Sequence, residues 1–293
     1  MKKKTLARNN LKKKKLLLIG GGGYLGAKLA ILTKKEFSVT VCQRHNFKEK
    51  GVNFFKLDAK NFKDCELKIN NYDIVINLAA VLGNKKPYQN FENNVNLFLN
   101  TYLASIKNGI KNYFFISSNS VYESFIKNKY LEANIYSYNF YKMVCEVLGL
   151  NLSKKTAINF KIIRVANIYG PNMSEGFIFD LINKILSKKK VVININKKTS
   201  RNFTYIDDVT SCIKFLIKKK NWKIINITNS KKITLKEIVQ KVNANIKKKI
   251  MINDIGNENR RLFNTTKLKS LGWKDKISFD KGIKITLKKF NAN

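Results

Sequence analysis

Short apolar runs recur along the first two-thirds of the chain, each closed by glycine, asparagine or a charged residue. They are "KLLLI" (15–19), "SVTVCQ" (38–43), "VNFFKLD" (52–58), "DIVINLAA" (73–80), "NYFFISS" (112–118) and "FKIIRVAN" (160–167). Runs this short, without polar alternation, predict strands buried on both faces. Between them, 24–34, 93–108 and 138–153 carry apolar residues at helical spacing, which predicts helices. Buried strands separated by helices predict a parallel sheet covered on both sides. After "NIYGP" (167–171) the alternation loosens. A helix over 177–189, a short strand "VVINI" and the segment "RNFTYIDDV" (201–209) precede a mixed remainder, and a second, smaller unit is expected there. No repeat of fixed period and no long Gly/Ser linker interrupts the series.

The stretch "KKKKLLLIGGGGYLGAKLAIL" (12–32) opens like a secretion signal, with lysines before an apolar run. Such a signal needs about 7–15 unbroken apolar residues, and Leu16 to Ile19 is cut short by glycine. Nothing else approaches the ~18 apolar residues of a membrane span. The chain therefore reads as soluble, unprocessed and cytoplasmic. Glycines 20, 23 and 26 give G-x-x-G-x-x-G between a predicted strand and a predicted helix. In that position Gly20 permits the tight turn, Gly23 lets backbone approach a pyrophosphate, and Gly26 allows close helix–strand packing. The helix amino terminus adds free N–H groups and a partial positive charge. A strand-to-helix turn can use glycine without any ligand, but this context makes a phosphate cradle the expectation. The fold class that follows is α/β, a Rossmann-type doubly wound parallel sheet.

With 293 residues, 44% of them hydrophobic, the chain can bury a large core, or one domain with a smaller partner. Its net charge is +39, from 58 basic and 19 acidic residues. Clustered lysine and arginine would suggest nucleic acid or an acidic membrane. Here the lysine runs (2–4, 12–15, 188–190, 218–220, 247–249) are scattered, without a helix-turn-helix or zinc signature. Solvated faces, and no specific nucleic-acid partner, are expected; the charge would still draw in a diphosphate. Cys42, Cys65, Cys145 and Cys212 form no CxxC pair, and His45 is the single histidine. A Cys/His zinc site is excluded, no metal is expected, and the cysteines read as buried free thiols of a reducing compartment.

Seven segments then stand in a telling order: "GGGGYLG" (20–26), "NLAA" (77–80), "ISSNSVY" (116–122), "YNFYK" (138–142), "RVANIYGP" (164–171), "RNFTYIDD" (201–208) and "LGW" (271–273). From about residue 15 to about residue 275 the chain resembles the extended short-chain dehydrogenase/reductases. More narrowly, it resembles the NAD-dependent epimerase/dehydratase group that acts on nucleotide sugars. The resemblance implies a dinucleotide-binding domain over 1–171, with 202–228 returning to it, and a smaller α/β substrate-binding region over 172–293. It implies a nicotinamide cofactor held by Gly20, Gly23, Tyr24, Leu25, Gly26, Leu78, Ala79 and Ala80, with Asp58 at the adenine. The implied substrate is a nucleoside diphosphate sugar, and the implied reaction is epimerisation or oxidoreduction at a sugar carbon. It leaves room for a homodimer.

Tyr138 and Lys142 form Y-x-x-x-K, and positions four apart share a helix face. A free phenol, with a pKa of about 10, is a poor base near neutrality. A lysine charge and a positive nicotinamide ring would lower that value. Tyr138 could then take a proton from a sugar hydroxyl while hydride leaves the same carbon, and Lys142 would hold the nicotinamide ribose as in the family. Tyr24 and Lys28 have the same spacing, inside the glycine loop, where the family puts no catalyst. Tyr138 instead follows Ser118 by 20 residues, and Glu146 continues its face. Ser118 matches the family's hydroxyl that orients the reacting sugar oxygen; Ser117 is expected to be buried by strand alternation. The 4,6-dehydratases carry an acidic pair directly after this position. Asn119 and Ser120 stand here, which disfavours dehydration.

By the same resemblance Asn167 and Arg201 line the nucleotide-sugar pocket. A strand-end cap is the alternative for Asn167, and an ion pair with Asp207 or Asp208 for Arg201. The chain departs from the family at Glu123 (usually glycine), at Asn202 and Asn264 (usually aspartate), and at "NINKKTS", where a G-D-G turn is usual. These changes bear on the substrate pocket and leave the cofactor residues intact. At the end of the second strand NAD-selective relatives carry an acid for the adenine ribose. Here Gln43 and Arg44 occupy that place. A guanidinium could pair with a 2′-phosphate, so of NADP and NAD the expectation favours NADP. The leading reading is an epimerase. A reductase that releases its cofactor each turnover would use the same residues. A non-catalytic cofactor-binding regulator or RNA-associated protein is the reading from a different class.

Overall fold

Leu16, Leu17, Leu18 and Ile19 are all buried, although successive strand residues point to opposite faces. Leu16 and Leu18 pack into one apolar cluster with Val39, Val41, Ile76 and Phe114. Leu17 and Ile19 pack into a second with Val75, Phe98, Tyr102 and Phe115. A strand with cores on both faces needs no polar alternation, which is why the runs read as continuous.

The computed structural model describes residues 13–81, 87–125, 137–187, 191–229, 231–256 and 263–290. The first half runs β1 (Lys15–Ile19), α1 (Tyr24–Thr33), β2 (Ser38–Gln43), β3 (Asn53–Lys56), α2 (Phe62–Lys68), β4 (Ile74–Asn77), α3 (Pro87–Lys107), β5 (Asn112–Ser118), α4 (Tyr138–Ser153) and β6 (Asn159–Val165). It continues with β7 (Asn167–Tyr169), α5 (Phe177–Ser187), β8 (Val191–Ile195), β9 (Ser200–Arg201), β10 (Phe203–Tyr205), α6 (Ile206–Ile217) and β11 (Ile224–Ile227). β12 (Ile233–Thr234), α7 (Leu235–Ile246), β13 (Ile250–Asp254), α8 (Thr266–Ser270) and α9 (Phe279–Phe290) complete it.

The main sheet is seven-stranded, in the order β11-β6-β5-β4-β1-β2-β3, with every pairing parallel. Helix α1 packs with α6, and α3 with α2 and α4. This is the doubly wound Rossmann-type sheet expected from the pattern. Strand order reverses between β1 and β4, and such a switch point opens a crevice at the carboxyl ends of the strands. Helix α3 begins at Pro87, earlier than the apolar spacing from 93 indicates. Its first turns are polar and hide the helix, while a proline in the first turn suits a helix start.

A third cluster joins α5, β8, α7 and α9 through Ile182, Ile185, Ile193, Ile238, Val242, Ile283 and Leu287. β8 pairs with β13 in parallel. Asp208, in the first turn of α6, accepts from the backbone N–H groups of Lys276 and Ile277, which ties the connection before α9 to α6. All four cysteines are buried and free. Among the described residues no helix is long and apolar enough to cross a membrane, and no group of side chains has the makeup of a metal site.

Candidate active site

The glycine turn between β1 and α1 is built on two tight approaches. Gly20 has φ +71°, and a Cβ there would lie 2.7 Å from the Ala79 backbone. A Cβ on Gly26 would lie 2.6 Å from the backbone of Gly21. Gly23 differs: the nearest atom to its added Cβ is the Gly20 oxygen at 3.6 Å. Its open side is the room a phosphate needs. Gly23 also caps α1 without a side-chain hydrogen bond, and the first turn of α1 carries no acid. The helix terminus thus keeps its free N–H groups and partial positive charge. Turn and terminus together fit a dinucleotide's pyrophosphate.

Two buried asparagines shape the bed opposite. The Asn77 amide donates to Thr101 and Tyr113 while its oxygen accepts from the Ala79 N–H at 3.0 Å. Asn94 accepts from the Val81 N–H at 2.8 Å and donates back to the Val81 carbonyl. The segment 78–81, which leaves β4 at the switch point, is therefore pinned at both ends.

A cleft of ≈ 760 Å³ runs over these elements. Its wall holds Gly20, Gly23, Tyr24, Leu25, Gly26, Gln43, Arg44, Asp58, Leu78, Ala79 and Ala80, and also Ser118, Tyr138, Lys142 and Asn167. The glycine turn and the Y-x-x-x-K pair thus share one cavity. Arg201 is not in its described lining. It sits half-buried on β9, paired with Ile233 of β12, and the ion pair considered for it is otherwise assigned. Asp207 bonds Lys28, and Asp208 serves the backbone N–H groups noted above. Asn167 both lines the cleft and donates to the Asn202 carbonyl at 3.0 Å. Tyr24 and Lys28 separate: Lys28 turns to Asp207, and the Tyr24 hydroxyl is buried with no hydrogen-bond partner among the described residues.

Lys142 is 2% exposed. Its ammonium donates to the Ile116 carbonyl at 2.8 Å and lies 4.6 Å from the ring centre of Phe115, 5.8 Å from Tyr141 and 5.9 Å from Tyr138. Burial lowers its pKa to about 8, while Cys145 and Glu146 push the other way. Tyr138 keeps its ring partly exposed. Burial of its hydroxyl end raises the phenol to about 12, with a hydrogen bond to Ser118 opposing the rise and the charge of Glu175 adding to it. The lowering expected from Lys142 is not seen, because its ammonium is turned to the Ile116 carbonyl. Ser118 accepts from the N–H of Ser120 at 3.1 Å and from its hydroxyl at 2.8 Å. With its lone pairs engaged, Ser118 is left to donate its own proton, toward Tyr138 or a substrate oxygen. Ser117 is buried, as alternation predicts.

Two residues already singled out in the sequence, Gln43 and Ser120, take roles that it does not announce, and one contributor, Glu175, escaped sequence reasoning. Gln43 braces the glycine turn: its oxygen accepts from the Gly22 N–H at 2.9 Å and its amide donates to the His45 carbonyl at 3.0 Å. Ser120 aims Ser118. Glu175, from the loop before α5, stands on the cleft wall. The glycine spacing could have prompted the first; no local pattern marks the other two.

The profile of the NAD dependent epimerase/dehydratase family matches residues 16–228, and the chain belongs to that family. It is 28% identical to a dTDP-D-glucose 4,6-dehydratase of Dictyostelium discoideum, covering 90% of this chain and 78% of that one. It is 25% identical to a UDP-glucuronate 4-epimerase of Thermodesulfobacterium geofontis, over 82% and 80% respectively. Among solved structures, the UDP-glucose 4-epimerase of Thermotoga maritima superposes with a TM-score of 0.81 at 20% identity, covering 95% of this chain and 99% of that one.

Proposed function

We propose that this chain is a nucleotide-sugar epimerase that draws on a nicotinamide cofactor. The observation that carries the reading is the shared cleft: the open glycine turn and the Ser118–Tyr138–Lys142 group line one cavity. A bound nicotinamide would supply a hydride acceptor that can also return the hydride. The chain's own residues do the rest. Ser118 donates to the reacting sugar oxygen and aligns it with Tyr138. Tyr138 takes the hydroxyl proton and later gives it back. Burial holds its phenol up at about 12, so it would ionise for this step only with the positive charge of a bound nicotinamide ring beside it. Lys142, protonated below about 8, keeps a positive charge beside the phenolate that forms. The alcohol thus becomes a carbonyl and then an alcohol again, with its configuration inverted if hydride returns to the opposite face.

Epimerisation is favoured over dehydration because the two residues after Ser118 cannot serve as acid and base. Asn119 is 1% exposed, and Ser120 is spent on Ser118. For the cofactor we favour NADP. Both polar ends of Gln43 are used within the protein, no carboxylate ends β2, and Arg44 is exposed on the cleft wall. Four buried free thiols support a reducing, cytoplasmic setting.

Tyr138→Phe tests the central assignment. Turnover of the nucleotide sugar is expected to fall by at least ~100-fold, with cofactor affinity nearly unchanged in calorimetric titration. Near-wild-type turnover would remove Tyr138 from the mechanism.

A further inference from the structure

The cleft wall is not evenly charged. Arg44, His45 and Lys60 stand beyond β2 and β3, at the end away from the Y-x-x-x-K pair. The other end, past β5 and β6, is formed by Ser118, Tyr138, Lys142 and Asn167, joined by Glu175 from the loop before α5. Lys142 is buried, with its ammonium on the Ile116 carbonyl. Glu175 is exposed, and among the described residues it enters no ion pair. In a chain with 58 basic and 19 acidic residues, an unpaired carboxylate beside the reacting end is a local reversal of sign. Its charge reaches the Tyr138 hydroxyl, where it opposes ionisation of the phenol.

We propose that Glu175 sets the class of sugar accepted, admitting neutral or amino sugars and discriminating against those that carry a carboxylate. The proposal rests on the nucleotide-sugar reading above. The reacting carbon must meet Tyr138 and Ser118, and a uronate's carboxylate is never more than one sugar ring from it. Two like charges sharing this end of the cleft, within about a Debye length of each other in partly solvated surroundings, repel enough to weaken binding by about 5- to 10-fold at low salt. The chain would then part from its UDP-glucuronate-epimerising relative in substrate, although the fold is shared.

The test uses cofactor-loaded protein in the Tyr138→Phe background, so that no turnover contributes heat. Titration with UDP, GDP, CDP and dTDP first selects the nucleotide. The corresponding nucleotide-hexose and nucleotide-uronate are then compared, in otherwise unchanged protein and with Glu175→Gln or Glu175→Lys. The uronate is expected to bind about 5- to 10-fold more weakly than the hexose. That ratio should approach one in Glu175→Gln, invert in Glu175→Lys, and shrink with added salt. Equal binding of the two sugars, or a ratio indifferent to both substitutions, overturns the role of Glu175 and leaves the nucleotide-sugar reading standing. No binding of any of the four nucleotides overturns that reading, and the assignment of Glu175 with it.

Discussion

Gln43 and Arg44 are neighbours in sequence with divergent duties. Gln43 spends both polar ends on the protein, holding the Gly22 N–H and the His45 carbonyl. Arg44 stays exposed on the cleft wall. A carboxylate in place of Gln43 would repel a 2′-phosphate; a glutamine does not. The guanidinium beside it can offer paired, charge-assisted hydrogen bonds to that phosphate. Arg44→Ala is therefore expected to weaken NADP binding by about 10-fold, the value of one such bond at a solvated site, and to spare NAD. Calorimetric titration of both cofactors into both proteins decides it. Tighter binding of NAD by the unsubstituted protein, with no effect of the substitution, would sink the preference. The sequence locates both residues, but not that Gln43 braces the turn. A brace depends on where the β2 end meets the glycine loop, a contact between residues 21 positions apart.

At the scale of elements, the helix that carries Tyr138 and Lys142 is fastened to the sheet by an ion pair. Glu146, one turn beyond Lys142 on α4, takes a two-pronged contact from Arg164 of β6 at 2.5–3.2 Å. Both side chains are shielded, 3% and 11% exposed. The guanidinium also lies 4.7 Å from the ring centre of Tyr122, whose hydroxyl bonds Asn226 of β11. Helix, two strands and the segment after Ser118 thus meet at one arginine. Breaking such a pair on one side leaves a buried charge alone, which costs about 3–5 kcal/mol, whereas replacing both partners by apolar residues is often neutral. Glu146→Gln keeps some hydrogen bonding, so a loss of about 3 kcal/mol in urea unfolding is expected. The double change Glu146→Met with Arg164→Leu should recover most of it. A single variant as stable as the parent would show that the tie carries no stability. Sequence reasoning saw Glu146 continue the Tyr138 face, since four-residue spacing is local. Its partner on β6 is set by how α4 lies on the sheet, and no periodicity reports that.

For the whole molecule, the net charge of +39 poses a choice between a nucleic-acid footprint and a solvated surface. Several of the lysines have employment within the protein. Lys214 and Lys218 share Glu36, Lys34 holds Glu49, and Lys107 holds Glu66. Lys161 is buried, with its ammonium on the Lys219 and Lys220 carbonyls just past α6 and 4.6 Å from the Trp222 ring centre. The run at 218–220 is thus partly bound up in closing α6, where positive charge suits the negative end of a helix. The ion-paired lysines stand on or just past five different helices, α1, α2, α3, α6 and α7, and the lysine runs are scattered along the chain. Dispersed charge still attracts a polyanion by releasing its counterions, but it reads no sequence. Binding to DNA or RNA is accordingly expected to be no tighter than about micromolar at physiological salt, alike for unrelated sequences, and about 100-fold or more weaker between 50 and 200 mM salt. Fluorescence anisotropy with several labelled oligonucleotides across that range measures all three. Tight binding to one sequence that survives the salt would mean the charge is organised after all, and would revive an RNA-associated role for this fold.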